Sequence, residues 1–251
     1  MRKMAPGSLP AMPLFRKKHL PKSLEPAPPG EGRDVTIRAE ELVVAGQPFS
    51  RIADQFRRLR NSIQALNADG AARTVLLTSA IHGEGTTVAT INLGLAMVEV
   101  PHQRVLLIDA HIRDPELEEY LELPRRQGLS EVIRGMLPLD QSIRPTSVDR
   151  LDIIGAGGLP AHPGEGVNAE RVQSILHTLK RRYDYILMDT PPVQLVVDPT
   201  LLGTVSDGIV LVVRLGHAPK HLVEETYNML ESLGGNVLGT LVTGADLGEQ
   251  D

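Results

Sequence analysis

The stretch that decides the fold is residues 74–91, which read TVLLTSAIHGEGTTVATI. Its first six residues form a Val/Leu/Thr run that is typical of a buried strand. A turn containing Gly83 and Gly85 follows, and Thr86 opens a segment with helical spacing. A strand, a tight turn and a helix N-terminus in this order bring backbone N–H groups and the positive end of a helix dipole to one point. The stretch therefore predicts an anion-binding loop at the carboxyl end of a β-strand.

Apolar runs alternate with helical patterns on both sides of this loop. The predicted strands are 74–79, 104–109, 151–155, 184–189, 208–214 and 236–242, and the predicted helices are 50–66, 87–98, 128–134, 168–181 and 219–233. Continuous Val/Ile/Leu strands indicate burial on both faces of a sheet, as in parallel sheets covered by helices. We therefore expect an α/β fold with a single doubly wound, mostly parallel sheet and helices on both faces.

Composition limits the classes of function. The 251 residues include no cysteine, which excludes disulfides, thiolate metal sites and a cysteine nucleophile. Residues 1–30 hold six basic residues and one acid, so the rest of the chain carries a net charge of −10. A folded body of that charge is a poor match for nucleic acid, which binds basic surfaces. The basic head is compatible with a solvated tail or with contact to anionic lipid, and the tail is the simpler interpretation.

Proline distribution and hydropathy predict the domain organisation. We expect a disordered, Pro-rich basic arm over residues 1–35, a linker over 36–49, the α/β domain over 50–245 and a short acidic tail over 246–251. Nowhere do about 18 consecutive apolar residues occur, so we expect no membrane-spanning segment. The expected location is the cytoplasm, with any membrane contact made through a partner.

The turn matches the nucleotide-loop pattern G-x-x-x-x-G-K-[ST] only in part. Ala80 stands at the first glycine, Gly85 at the second, Thr86 at the lysine and Thr87 at the Mg²⁺-binding Ser/Thr. Two acids strengthen the match, because Asp109 and Asp189 each end a predicted strand. Ligands of open α/β sheets bind at the carboxyl ends of strands, so these acids lie where a Mg²⁺–nucleotide would be held.

Six ordered segments carry a resemblance to a known family. They are DQFRRLRNSI (54–63), TSAIHGEGTT (78–87), RVLLIDAHIRDP (104–115), GLSEVIRG (128–135), the long stretch 184–214 and LGTLVTG (238–244). Together they resemble the bacterial tyrosine kinases of capsule and exopolysaccharide synthesis, a branch of the MinD/ParA-type P-loop ATPases. The resemblance covers roughly residues 50–243.

The resemblance implies roles for individual residues. Thr87 would hold Mg²⁺, Asp109 matches the first acid of the Walker A′ motif, and Asp189 matches the Walker B acid; the last two would be catalytic as well as metal-binding. The residues implied in nucleotide binding are His82, Gly83, Glu84, Gly85, Thr86, Thr87 and Val88. Asp54, Arg57 and Arg60 match the E-x-x-R-x-x-R ring-assembly motif, although an ordinary surface ion-pair network explains the same spacing. The implied cofactors are ATP or ADP with Mg²⁺, and the implied partner is a Wzz-type membrane polysaccharide co-polymerase.

Four departures from the family pattern bear on activity. Thr86 replaces the lysine that contacts the β- and γ-phosphates, His111 replaces the second acid of D-x-D, and Thr243 stands where an asparagine is usual. No tyrosine follows Tyr227, so the C-terminal tyrosine cluster of the family is absent. Three functions remain open: a pseudokinase-like regulator with weakened nucleotide binding, an active tyrosine kinase with a surrogate cation such as Arg113, and a MinD/ParA-like ATPase.

Two further groups of residues receive structural interpretations. Tyr183 and Tyr185 flank Asp184 before a predicted strand, and we expect them to be packing residues. An acidic run that follows Pro115 is expected to form a solvated helix face, or else to border a substrate groove; its members are Glu116, Glu118, Glu119 and Glu122.

Overall fold

The computed structural model describes residues 41–71, 73–159, 169–193, 203 and 205–245. The arm predicted for 1–35 and the acidic tail predicted for 246–251 lie outside the described residues. Within the described part of the chain, no helix is long and apolar enough to cross a membrane.

A seven-stranded sheet forms the centre of the molecule. Its strands are β1 Arg73–Ser79, β2 Val105–Asp109, β3 Arg144–Pro145, β4 Leu151–Ile154, β5 Tyr185–Asp189, β6 Gly208–Arg214 and β7 Val237–Thr243. Their order across the sheet is β3-β4-β2-β5-β1-β6-β7. The short β3 is antiparallel to β4, and every other neighbouring pair is parallel. The predicted doubly wound, mostly parallel sheet is confirmed.

Helices cover both faces of this sheet. They are α1 Val43–Gly46, α2 Arg51–Ala65, α3 Thr86–Val98, α4 Leu117–Tyr120, α5 Leu129–Ile133, α6 Leu139–Ser142, α7 Ala169–Leu179 and α8 Lys220–Ser232. Helix α2 begins at the predicted N-cap, since the Ser50 hydroxyl accepts the N–H of Ala53 at 3.2 Å. Helix α3 is buried almost all round and packs between α2 and the sheet.

Alternation along each strand divides the core into two layers. On β1, Val75 and Leu77 face α2 and α3, whereas Leu76 faces the layer that contains α7 and α8. This period-2 pattern is what a strand buried on both sides requires. The sheet is therefore sandwiched, and its carboxyl edge remains the accessible place for a ligand.

The structure differs from the sequence expectation at both ends of the domain. The described part of the predicted linker is folded: Leu42 and Val44 are buried, and the N–H of Val44 donates to the Asn92 side chain of α3 at 3.0 Å. At the other end, β7 was predicted as an apolar run buried on both faces. It is instead half-exposed, with Val242 52% accessible, because it is an edge strand.

Candidate functional site

A cavity of about 240 Å³ opens at the carboxyl edge of the sheet, above the ends of β1, β2 and β5. Its walls come from the glycine loop (residues 80–85), the start of α3, and the segments that follow β2 and β5. The lining residues are Ser79, His82, Gly83, Glu84, Gly85, Thr86, Thr87, Val88, His111, Asp114, Glu116, Thr190 and Pro192. All seven residues expected to bind nucleotide therefore line one cavity.

The glycine loop has the backbone geometry of an anion cradle. Gly83 and Gly85 have φ of 81° and 84°, a left-handed conformation that L side chains disfavour. Gly85 is also the N-cap of α3. Among the described residues, no hydrogen bond joins the amides of residues 85–88 to a protein acceptor. Unpaired N–H groups at a helix N-terminus are the usual donors to phosphate oxygens.

Residues at the ends of β6 and β7, and His217 just after β6, contact the glycine loop. Glu84 is 1% exposed, and one carboxylate oxygen accepts the N–H of Arg214 at the end of β6. The Thr243 hydroxyl at the end of β7 donates to the Glu84 carbonyl at 2.7 Å. Nε2 of His217 lies 3.0 Å from the His82 carbonyl. Thr243, which stands where the family usually has asparagine, therefore contributes to the loop's position.

The carboxylates expected to carry the chemistry lie side by side. Asp109 on β2 is directly opposite Asp189 on β5, and the Thr87 hydroxyl of α3 donates to Asp189 Oδ2 at 2.7 Å. Burial raises the pKa of Asp109 to about 7, with Glu118 adding to the shift. Burial and the nearby Asp109 raise the pKa of Asp189 well above its ordinary value. Two buried acids this close repel as anions, and a divalent cation or a proton relieves that repulsion.

These donors fit Mg²⁺, a hard cation that takes oxygen ligands. Among the described residues, no set of three His, Asp or Glu side chains is arranged as a complete metal site. Mg²⁺ at a nucleotide normally takes only one or two protein carboxylates, together with phosphate oxygens and water. Thr87 and Asp189 are oxygen donors of the kind and number that this share requires.

Two imidazoles occupy the space between the glycine loop and the segment after β2. The rings of His82 and His111 stack with centroids 5.8 Å apart and planes inclined by 18°. Burial lowers the pKa of His111, with Asp114 opposing that shift and His82 adding to it. The neutral form of His111 is thereby favoured, and it is a poorer ligand for Mg²⁺ than a carboxylate.

The acidic run after Pro115 is a solvated face only in part, since Glu119 and Glu122 are exposed whereas Glu116 and Glu118 are not. Glu118 is 3% exposed and forms an ion pair with Arg144 of β3. Glu116 lines the cavity, which agrees with the alternative expectation of a groove border and adds a residue to the predicted site. The position of Glu116 directly after Pro115, in the segment that follows β2, is the sequence feature that could have predicted its place in the cavity wall.

The residues predicted for ring assembly lie at the far end of α3 from the cavity. Arg57 contacts Glu99, the C-cap of α3, at 2.7 Å and Asp54 at 2.9 Å, and Arg60 contacts Glu99 at 3.1 Å. Within one chain these residues therefore form an ion-pair network that joins α2 to α3.

Tyr183 and Tyr185 are buried, as expected for packing residues.

Comparison with known proteins identifies the lineage. No protein-family model matches the chain. It is 28% identical to the tyrosine-protein kinase YwqD of Bacillus subtilis over 206 residues, covering 82% of this chain and 86% of that protein. It is similar to the solved BceF tyrosine kinase domain, with 30% identity, a TM-score of 0.71, and coverage of 80% of this chain and 81% of that one. The chain belongs to the bacterial tyrosine-kinase family.

A more distant solved structure gives the wider fold class. The septum site-determining protein MinD of Pyrococcus horikoshii matches with a TM-score of 0.61 at 22% identity, over 72% of this chain and 73% of that one. The seven-stranded sheet is thus the P-loop NTPase fold shared by the tyrosine-kinase family and MinD. The family resemblance inferred from the motifs is confirmed.

Proposed function

We propose that this chain is a pseudokinase-like member of the family that binds Mg²⁺–ATP or Mg²⁺–ADP weakly and transfers phosphate to tyrosine slowly or not at all. Its role would be regulatory, in the synthesis and export of capsule or exopolysaccharide. The expected partner is a Wzz-type membrane co-polymerase, reached from the cytoplasmic side. The polysaccharide context follows from the family resemblance.

One observation carries the proposal: no lysine or arginine side chain is among the described residues that line the cavity. Thr86 at the lysine position is short and neutral, so it brings no positive charge to the γ-phosphate. Phosphoryl transfer depends almost entirely on positioning and charge stabilisation, so its loss should exceed the loss in binding. Arg113, a candidate surrogate, is exposed and lies outside the cavity lining.

The remaining residues divide the work of binding. The amides of residues 83–88 would surround the phosphates, while Thr87 and Asp189 would hold Mg²⁺, which when bound neutralises phosphate charge. Glu84 fixes the loop against β6. A buried Asp109 would orient the segment after β2, since its two oxygens accept the N–H groups of His111 and Leu117 at 3.0 and 3.1 Å.

The test restores the cation. Thr86→Lys should tighten the binding of a fluorescent ATP analogue about tenfold or more, because a hydrogen bond to a charged group contributes about 1.5–3 kcal/mol. Phosphotyrosine formation should return only in part, and more fully in Thr86→Lys/His111→Asp. Thr178→Lys, on the exposed side of α7, controls for added charge. A wild type that phosphorylates tyrosine at ordinary kinase rates, with no gain from Thr86→Lys, would contradict the proposal.

A further inference from the structure

Glu116 lines the same cavity as the glycine loop, and the family motifs give it no role. It precedes α4 and is partly buried, and it lines the same cavity as Thr87 and His111. Burial raises its pKa, and the neighbouring Asp114 and Glu119 add to the shift. Desolvation and like charge therefore both disfavour the ionised form of Glu116.

Among the described residues, Glu116 has no ion-pair partner. The Thr87 hydroxyl, which lies within its reach, donates its one proton to Asp189 instead. The guanidinium of Arg125, which is close enough to lower the pKa of Glu116, donates to the Pro115 carbonyl at 2.5 Å and forms no ion pair with Glu116 among the described residues. By contrast, the buried Glu118, two residues along, has Arg144 as its partner. Glu116 and Asp189 therefore both lie beside the Thr87 hydroxyl, and neither forms an ion pair among the described residues.

The other acid after β2 is held by hydrogen bonds from the backbone. Asp109 is fully buried, and each of its carboxylate oxygens accepts one backbone N–H group. His111 removes the second acid of the motif. Of the carboxylates in this segment, Glu116 and the exposed Asp114 are the two that reach the cavity.

We propose that Glu116 is a ligand, directly or through one water, of the divalent cation that accompanies the nucleotide phosphates, in place of the acid lost at His111. The cation would then lie between Thr87, Asp189 and Glu116, where it neutralises the two carboxylates. Mg²⁺ takes such hard oxygen donors and keeps several waters, so a ligand that arrives from the opposite wall is compatible with its coordination. This inference rests on the proposed nucleotide binding.

The experiment separates cation binding from phosphate binding. A fluorescent ADP analogue is titrated in excess Mg²⁺ and in EDTA, with wild type, Glu116→Gln, Asp114→Asn and Glu119→Gln. The last is a matched control, because Glu119 is an exposed acid of the same short helix. Glu116→Gln should weaken binding about tenfold in Mg²⁺ and leave binding in EDTA unchanged or slightly tighter, because only the cation-dependent part loses a ligand. Glu119→Gln should bind like wild type in both conditions.

Two further measurements decide the remaining outcomes. Electron paramagnetic resonance measures Mn²⁺ binding to the protein alone. This binding should weaken in Glu116→Gln and recover in part in Glu116→Asp, which keeps the negative charge and so controls for a folding defect in Glu116→Gln. If wild type binds no nucleotide in either condition, the proposed function fails, and the Mn²⁺ measurement still tests Glu116. Equal effects in Mg²⁺ and EDTA, unchanged Mn²⁺ binding, or a Mg²⁺-specific loss in Asp114→Asn alone would overturn the inference.

Discussion

Replacement of Glu99 by glutamine tests the network that joins α2 to α3. The carboxylate of Glu99 accepts from Arg57 Nε at 2.9 Å and Nη2 at 2.7 Å, and from Arg60 Nη1 at 3.1 Å. Arg57 also donates to the Pro48 carbonyl at 2.6 Å, and Arg60 donates to the Ala96 carbonyl at 2.8 Å. The two guanidiniums are thus held by one carboxylate at the end of α3.

The expected loss is modest, because the network is partly exposed. The side chains of Arg57 and Glu99 are 24% and 33% accessible. Ion pairs of this kind contribute about 0.2–1 kcal/mol each. A negative charge at a helix C-terminus costs about 0.3–1 kcal/mol, which the substitution relieves. We expect Glu99→Gln to lower the free energy of unfolding by up to about 1 kcal/mol, with the melting temperature falling by about 2–4 °C per kcal/mol.

Acid should abolish this difference. Hydrogen bonding to Arg57 lowers the pKa of Glu99 in the folded state. A lowered folded-state pKa gives stability that is present above the ordinary carboxyl pKa and is lost as the pH falls through the folded value. The melting temperatures of wild type and Glu99→Gln should therefore differ at pH 7 and converge on acidification. Glu224→Gln, which breaks the exposed pair with Lys220 on α8, should change the melting temperature little.

Light scattering on the same variants tests the predicted ring motif. If Arg57 and Arg60 bind a second copy of the chain, Glu99→Gln frees both guanidiniums and should leave the measured molar mass unchanged or higher. Replacement of both arginines by alanine should lower the molar mass. The reasoning is refuted if Glu99→Gln melts like wild type at pH 7, or if the difference persists unchanged at low pH.

Three other perturbations have definite expected outcomes. Asp189→Asn should raise the melting temperature of the nucleotide-free protein more at pH 8 than at pH 5. The raised folded-state pKa of Asp189 means that stability is lost as the pH rises from the ordinary carboxyl pKa towards the folded value, and a calorimetric comparison at the two pH values decides. Gly128→Ala should cost about 3 kcal/mol or more in urea unfolding, since its Cβ would lie 1.9 Å from the Gly155 carbonyl oxygen, whereas Gly46→Ala, with open space around it, should be close to neutral. His82→Ala should remove the ring stack with His111 and expose the His111 imidazole. In an NMR titration, the His111 ring protons should then move downfield and the pKa of His111 should rise. An unchanged His111 titration would contradict the stack.

Local pattern was sufficient for much of the fold. Buried strands such as β1 and β5 are continuous apolar runs, and α3 follows the glycine loop as the strand–turn–helix order predicts. Parallel topology then brings the carboxyl ends of strands to one edge, which is why Thr87 and Asp189 were predicted together although 102 residues separate them. The sequence pattern did not predict that the chain from Glu41 onward packs on α3, because a helix of four residues is too short to show a periodic pattern.

Tertiary contacts decided the details of the site. The loop is held by bonds from Arg214 and Thr243 to Glu84 across 130 and 159 residues, and no local spacing encodes such partners. The acidic run after Pro115 illustrates the same limit, since one sequence pattern gives a core ion pair at Glu118 and a cavity wall at Glu116. The sequence by itself determined the strand–loop–helix cradle, the missing cation at Thr86 and the family, because these depend on residues adjacent along the chain. Which acids face the cavity was decided only by the tertiary structure, because burial and charge pairing depend on the neighbours that the fold brings together.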